Sequence, residues 1–320
     1  MSPLRLGVMG CAGIARRRML PAMAADDGIE LVAVASRDGR TAAETARPYG
    51  CRAVTGYAEL LGLAEVEAVY VPLPAALHAE WVTAALAAGK HVLAEKPLTT
   101  AADRTRRLVE SAERRGLVLM ENVMFVHHPQ HEAVRQLVAD GAIGELRSFQ
   151  AAFTIPALPA DDIRHRPELG GGALWDVGVY PLRAALHFLG DGLRVVGATL
   201  ETVADRQVET GGAALLRTPE GVTAQLEFGM EHAYRSSYEL VGGTGRISVE
   251  RAFTPPAEHR PVLRLTRSAG TEEIELPAAD QVARTLAAFT AAVRSGAGPA
   301  AGDCLAQAGL LDAVRRSAAR

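Results

Sequence analysis

Of the 34 basic residues in this chain only Lys90 and Lys96 are lysines; the others are arginines. A lysine kept under such a bias supplies a compact ammonium whose pKa responds to its surroundings, which a guanidinium does not. Lys90 follows Gly89 and reads as a helix-end cation. Lys96 sits in Ala94-Glu95-Lys96-Pro97, at the end of an apolar strand-like run, where an ammonium can stabilise charge developing on an oxygen. Further along, Gly170-Gly171-Gly172-Ala173-Leu174-Trp175-Asp176-Val177-Gly178-Val179-Tyr180 places a carboxylate and a phenol four residues apart, on one face of a helix. Facing an ammonium, that pair makes a proton-delivery group. By spacing alone it equally suits a core tyrosine beside a helix-end carboxylate.

A third group of residues suits a dinucleotide. The first strand-like run ends in Gly10-Cys11-Ala12-Gly13-Ile14-Ala15, a turn that opens a helix. In such a turn the first small residue allows the bend, the second lets a pyrophosphate approach the backbone, and the third lets helix pack on strand. Here those positions hold Gly10, Ala12 and Ala15. The second run ends in Ser36-Arg37, where a carboxylate would bind a ribose diol; a hydroxyl and a guanidinium suit a 2′-phosphate, hence NADP(H). Asp38 next door offers a carboxylate of its own.

The elements that must position these groups alternate. Strands are expected at residues 4–9, 30–35, 68–71, 91–94 and 118–121, with helices at 14–25, 41–49, 78–88 and 101–115 between them. That is the pattern of a doubly wound parallel sheet, an α/β Rossmann fold. Val71-Pro72-Leu73-Pro74-Ala75-Ala76-Leu77-His78 and Glu95-Lys96-Pro97 then lie at carboxyl ends of strands, where ligands bind. From residue 194 to 275 strands follow one another across Gly and Pro turns, as in an open, mostly antiparallel sheet, and two helices close the chain. The expected domains are 1–122 and 123–320.

At 320 residues two domains are the default, and no apolar stretch is long enough to span a membrane. No signal-peptide pattern precedes the first strand, and Cys11, Cys51 and Cys304 have no disulfide or metal spacing. A cytoplasmic location follows. A net charge of -3 offers no field for nucleic acid.

Ala87-Ala88-Gly89-Lys90-His91-Val92-Leu93-Ala94-Glu95-Lys96-Pro97-Leu98, together with the Pro167–Tyr180 segment quoted in part above, resembles the Gfo/Idh/MocA oxidoreductase family over essentially the whole chain. The resemblance implies a Rossmann domain, a second α+β domain often used for homo-oligomerisation, into dimers or tetramers, and hydride transfer at a sugar-like carbonyl or carbinol. The family's active-site lysine maps onto Lys96, with a cis bond to Pro97, and its helix carboxylate onto Asp176. Tyr180 stands where many members have histidine, and Ala75 where many have asparagine before the histidine matching His78. Within the family the chain is most similar to NADP-dependent 3-ketoreductases of dTDP-linked deoxysugars. The residues carrying this are Arg16–Met23, Pro72-Leu73-Pro74 and Glu121–His131.

Cofactor contacts are therefore expected from Gly10, Cys11, Ala12, Gly13, Ile14, Ala15, Ser36, Arg37, Pro72, Leu73, His78, Glu95, Lys96 and Pro97. Substrate contacts are expected from His78, Asn122, Phe125, His128, Arg164, His165, Asp176 and Tyr180. His127 and His131 are spaced for a metal, but Pro129 interrupts them and no third ligand follows, so no metal is expected. Arg164, His165, Arg166 and Arg235 are the cations on offer for a diphosphate. Either Tyr180, a sugar hydroxyl or water delivers the proton. An aldose or trans-dihydrodiol dehydrogenase, and a non-catalytic NADP-binding regulator, are the competing readings.

Overall fold

A run such as Ala68-Val69-Tyr70-Val71, buried at every residue, suits a central strand of a sheet covered on both faces. In the computed structural model, which describes residues 2–204, 206–296 and 301–319, it is the fourth of six parallel strands. These are β1 (Leu4–Met9), β2 (Ile29–Ser36), β3 (Arg52–Thr55), β4 (Ala68–Val71), β5 (His91–Glu95) and β6 (Leu119–Asn122), in the order β3-β2-β1-β4-β5-β6. Helices Gly39–Ala46, Tyr57–Leu61, Ala75–Ala87 and Ala102–Arg115 lie between them in the chain. The strand order reverses between β1 and β4, and in such sheets the ligand crevice opens there. Gly10 and Pro72 leave the sheet at that point. Periodicity misses β3 because only Val54 of this edge strand is buried.

Lys90 is not a helix-end cation. Its side chain is buried, and Nζ donates to the Leu63 and Val66 carbonyls at 2.9 and 2.7 Å, tying β5 to the connection before β4.

The second sheet comprises β7 (Leu146–Ile155), β8 (Arg194–Glu201), β9 (Gly211–Arg217), β10 (Thr223–Met230), β11 (Arg235–Gly242), β12 (Gly245–Glu250), β13 (Val262–Arg267) and β14 (Gly270–Glu275). Its order is β14-β13-β12-β11-β7-β10-β9-β8, with only β7 and β10 parallel. Alternation sends Phe149, Phe153, Leu226, Phe228, Tyr238 and Leu240 inward, into a core shared with Leu174, Val179 and Leu182. The opposite face carries a groove lined by Gln150, Ala152, Thr199, Ala213, Leu215 and Arg235 among others. The polar strand β14 escapes a hydrophobicity reading, since cross-strand pairs Arg264–Glu273 and Arg267–Glu272 line it.

Two compact units result: Met1–Asn122 with Val282–Cys304, and Val123–Gln281 with Leu305–Arg320. The helix Gln281–Ser295, assigned by sequence to the second domain, falls almost wholly in the first unit, where Arg294 donates to the Ser2 carbonyl. Among the described residues no helix is long and apolar enough to cross a membrane.

The second core also holds His131, fully buried, with Nδ1 2.9 Å from the Tyr238 hydroxyl. Burial pushes its pKa well below the ordinary histidine value. The unfolded chain takes up this proton below pH ~6.5 while the fold refuses it, so stability falls as the pH drops through that value. A His131→Gln variant should have a shallower stability-against-pH slope between pH ~6.5 and ~5, by up to about 1.4 kcal/mol per pH unit. Denaturant titrations at several pH values measure this. Equal slopes would mean that folded His131 is protonated.

Candidate active site

In the first unit, candidate residues gather at the carboxyl ends of β1, β2, β4 and β5. Gly10 has φ +121°, and a Cβ there would lie 2.9 Å from Leu73 Cδ2, so this turn needs glycine on both counts. Gly13 has no such need, because a Cβ would meet only the Arg17 guanidinium. The Cys11 thiol faces the Ala35 and Thr41 carbonyls at 3.9 and 3.8 Å. A π-helical turn, Ala15–Met19, follows. The chain from Gly10 to Ala15 thus has the shape that a pyrophosphate-binding turn requires, with Ala12 in its middle position.

At the end of β2, Asp38 is already committed. Its Oδ1 accepts from Thr41 N at 2.7 Å and from Thr41 Oγ1 at 2.8 Å, capping the helix Gly39–Ala46. Those bonds, the backbone one first, hold its carboxyl below the usual range. Ser36 Oγ accepts from Asp38 N, and exposed Arg37 lies beside the Tyr57 phenol. Tyr57 in turn packs edge-on against Trp81, 5.0 Å between centroids. The carboxylate that could have read a ribose diol therefore caps a helix, while Arg37 remains at the surface. Replacing Arg37 by Ala should weaken NADPH binding about 10- to 100-fold, the loss of a charge-assisted phosphate contact worth ~1.5–3 kcal/mol, and leave NADH binding nearly unchanged. Fluorescence titration with both nucleotides measures it; equal losses would remove Arg37 from the 2′-phosphate site.

The β4 and β5 exits are joined through His78. Its ring is fully buried, with Nε2 2.7 Å from the Leu73 carbonyl and Nδ1 3.0 Å from the Pro97 carbonyl. Burial lowers its pKa. His78, expected to touch ligand, joins the turns after β4 and β5 through these two carbonyls. The Lys96–Pro97 bond is cis, and Glu121 Oε1 accepts from Leu98 N at 2.8 Å, fixing the turn. Asn122 is buried as well, and its amide donates to Glu95 Oε1 at 2.7 Å rather than standing open to substrate.

In the second unit, the candidate residues are organised by the three glycines. Gly170 and Gly172 have φ of +78° and +118°, and a Cβ on Gly171 would come within 2.5 Å of the Arg164 carbonyl. Gly172 N donates to that carbonyl at 2.9 Å and Gly171 N to Arg166 O at 3.0 Å. The triple glycine thus folds the 162–166 loop against the start of the following helix. That start is a π turn, Leu174–Gly178, continued by the α-helix Val179–Leu189, so the α-helical spacing assumed for Asp176 and Tyr180 holds over only part of the segment. π turns concentrate at functional sites, and both of those seen here follow a glycine turn.

Arg164 Nε donates to Asp176 Oδ2 at 2.6 Å, and its Nη1 lies 3.3 Å from Asp162. Asp176 and Asp162 hold the guanidinium all the more firmly protonated. Arg164, expected as a substrate contact, holds Asp176 in place. The other arginines on offer for a diphosphate are also paired, Arg166 with Glu168 and Arg235 with Glu227. Arg235 moreover lines the groove on the open face of the sheet, away from the helices. Both ring nitrogens of His165 are buried without a hydrogen-bond partner. The Tyr180 ring packs 4.6 Å from Phe153 and 6.1 Å from Phe125. Phe125 and His128 are buried; His128 Nδ1 accepts from Gln130 N and caps the helix Pro129–Ala139. Among the described residues no three His, Cys, Asp or Glu side chains are grouped to hold a metal.

Two participants have no sequence signal at this range. Asp162 clamps Arg164 through the loop, and Glu209 caps the helix that carries Asp176 and Tyr180, its Oε1 accepting from Leu174 N at 3.2 Å and its carbonyl from Ala173 N.

Comparison with known proteins adds two family models. One, an oxidoreductase family with NAD-binding Rossmann fold, matches residues 4–123; the other, a GFO/IDH/MocA C-terminal domain, matches residues 131–248. A dTDP-3,4-didehydro-2,6-dideoxy-alpha-D-glucose 3-reductase from Actinomadura kijaniata is 54% identical over 319 residues, covering 99% of this chain and 96% of that one. The enzyme of the same name from Streptomyces violaceoruber is 56% identical, covering 98% and 95%. The crystal structure of KijD10, a 3-ketoreductase from Actinomadura kijaniata in complex with NADP and TDP-benzene, superposes with a TM-score of 0.97 at 54% identity, covering 98% of both chains.

Proposed function

This chain belongs to the Gfo/Idh/MocA oxidoreductase family, and from that premise we propose that it reduces the C3 ketone of a dTDP-linked 3-keto-6-deoxyhexose with NADPH. The observation that carries the reading is full-length likeness, above half the residues, to 3-reductases of a dTDP-dideoxyglucose. The first unit binds NADP(H) and the second binds the sugar nucleotide.

The residues present fit the cofactor. Gly10 gives the tight turn that a pyrophosphate-binding segment needs, and Ser36 with Arg37 suits the 2′-phosphate, since Asp38 is occupied as a helix cap. When bound, NADPH supplies the hydride to the carbonyl carbon. As that carbon gains hydride, its oxygen gains negative charge and then a proton. Lys96 stabilises the charge, and Tyr180 delivers the proton. Asp176, fixed by Arg164, orients the sugar by accepting from a hydroxyl. Solvent returns the proton to Tyr180.

The open face of the second sheet, with Ala152, Ala213 and Thr199 around a groove, supports a homo-oligomer joined through that face. The free thiols of Cys11 and Cys51 support a reducing, cytoplasmic setting. The deciding assay follows absorbance at the NADPH band in both directions. NADPH oxidation with a dTDP-linked ketosugar is expected. NADP reduction by free aldoses or a trans-dihydrodiol, without the former, would replace this reading by a dehydrogenase.

A further inference from the structure

We propose that Glu209, on the connection between β8 and β9, is a positioning residue of the reaction: it fixes the π turn that carries Asp176, and with it the carboxylate that orients the sugar. The inference rests on the role given to Asp176 above and adds the group that sets its place.

The first turn of a helix has N–H groups that need acceptors from outside it. Here Ala173 N donates to the Glu209 carbonyl at 2.9 Å and Leu174 N to Glu209 Oε1 at 3.2 Å, so one residue serves two of them. The usual cap is local, a serine or aspartate just before the helix. That position holds Gly172, with φ +118°, and a Cβ there would collide with the Glu209 carboxylate. The third glycine of the triple therefore makes room for a carboxylate from another part of the chain. A local cap would stabilise the helix alone; the distant one also ties it to the second sheet, between β8 and β9. Asp176 N donates to the Gly172 carbonyl at 3.1 Å, so the residue against which Glu209 packs is the one that holds the Asp176 backbone.

The connection that delivers Glu209 is itself anchored. Thr210 N donates to the Glu201 carbonyl at 2.7 Å, and Met230 N donates to the Thr210 carbonyl at 2.7 Å. Arg206 donates through Nε and Nη2 to Glu231 Oε1 at 2.9 and 2.6 Å. Glu231 has φ +84°, a costly backbone for any residue but glycine, kept where the surroundings hold it. On the helix side Trp175, between Leu174 and Asp176, is buried, with the Arg315 guanidinium 5.7 Å from its ring centroid. Arg164 then fixes the side chain, Nε donating to Asp176 Oδ2 at 2.6 Å. Glu209 thus sets the backbone of Asp176, and Arg164 its carboxylate.

The test reads the coupling of Glu209 to Asp176. Misplacement by about 1 Å costs on the order of 10²-fold in rate, so Glu209→Ala should lower kcat with the dTDP-linked ketosugar about 10- to 100-fold, with NADPH affinity unmoved. Glu209→Gln, which keeps an acceptor for Leu174 N, should recover most of that loss. In an Asp176→Ala background the same Glu209→Ala change should cost less than about 3-fold, since its effect passes through a carboxylate already removed. Equal factors in the two backgrounds, or an unchanged kcat in folded Glu209→Ala, overturn the proposal. If Glu209→Ala fails to fold, Arg206→Ala frees the connection and should show the same coupling with a smaller loss. A readout that needs no substrate comes from Trp175, the sole tryptophan left after Trp81→Phe. Its emission maximum should shift in Glu209→Ala and return in Glu209→Gln; an unshifted spectrum also overturns the proposal. Absence of turnover of a dTDP-linked ketosugar by the wild-type protein would instead defeat the functional reading, and the Trp175 spectrum then decides on Glu209 alone.

Discussion

Lys96→Ala is expected to lose turnover by about 10²–10³-fold, the usual cost of removing a preorganised group that stabilises a developing oxyanion. The fold should survive. Lys96 is only partly buried and lies just past the end of β5, while the turn it occupies is held by backbone bonds to His78 and Glu121 that the substitution leaves in place. NADPH affinity should likewise stay near wild type, because the lysine acts on charge that appears only in the transition state. Steady-state kcat at saturating NADPH, with a melting curve for each variant, separates these quantities. Tyr180→Phe should lose less if a sugar hydroxyl delivers the proton in its place, and its ring contacts with Phe153 and Phe125 keep the helix seated. Equal losses in the two variants would make the phenol the obligatory donor. Wild-type turnover in a folded Lys96→Ala protein would defeat the mechanism.

The parts of this protein legible in sequence are those fixed by local rules. An apolar run followed by Gly10 or by Glu95-Lys96-Pro97 announces a strand end, and strand ends of a parallel sheet are where ligands bind. Gly170 and Gly172 could be read as turn residues, since their positive φ excludes most side chains. What sequence did not disclose is pairing at a distance. Arg164 reads as a free cation until the glycine turn folds its loop back onto Asp176. Asp38 reads as a rival for the ribose until it is seen to cap its own helix. Asn122, placed by sequence among substrate contacts, spends its amide on Glu95, and Tyr70 drew no notice although a lone hydroxyl in a buried strand is itself a signal. Edge strands β3 and β14 were missed for a different reason: they bury too little to show a pattern.

The free ketosugar should be about 10²- to 10⁴-fold poorer than its dTDP conjugate in kcat/KM. Two charge-assisted contacts to the diphosphate, at ~1.5–3 kcal/mol each, supply a factor of that size at 1.4 kcal/mol per decade. The split between kcat and KM then tells how the nucleotide acts. If it only anchors, KM rises and kcat holds; if it also aligns the ketone with the hydride donor, kcat falls too, since remote contacts are then used for orientation at the reacting carbon. A rise in KM together with a fall in kcat is expected here, because the carbonyl must meet Lys96 and the hydride in one geometry. We propose His165 as a diphosphate contact. Arg164 is engaged by Asp162 and Asp176, Arg166 by Glu168, and Arg235 faces the open side of the sheet, whereas His165 beside Arg164 has two buried ring nitrogens without partners. His165→Ala should therefore raise KM for the conjugate and weaken inhibition by dTDP, while leaving the free ketosugar's kinetics unchanged. If dTDP neither inhibits nor binds the NADP-loaded protein, and a free aldose or diol turns over efficiently, the sugar nucleotide is not the substrate and the dehydrogenase reading takes its place.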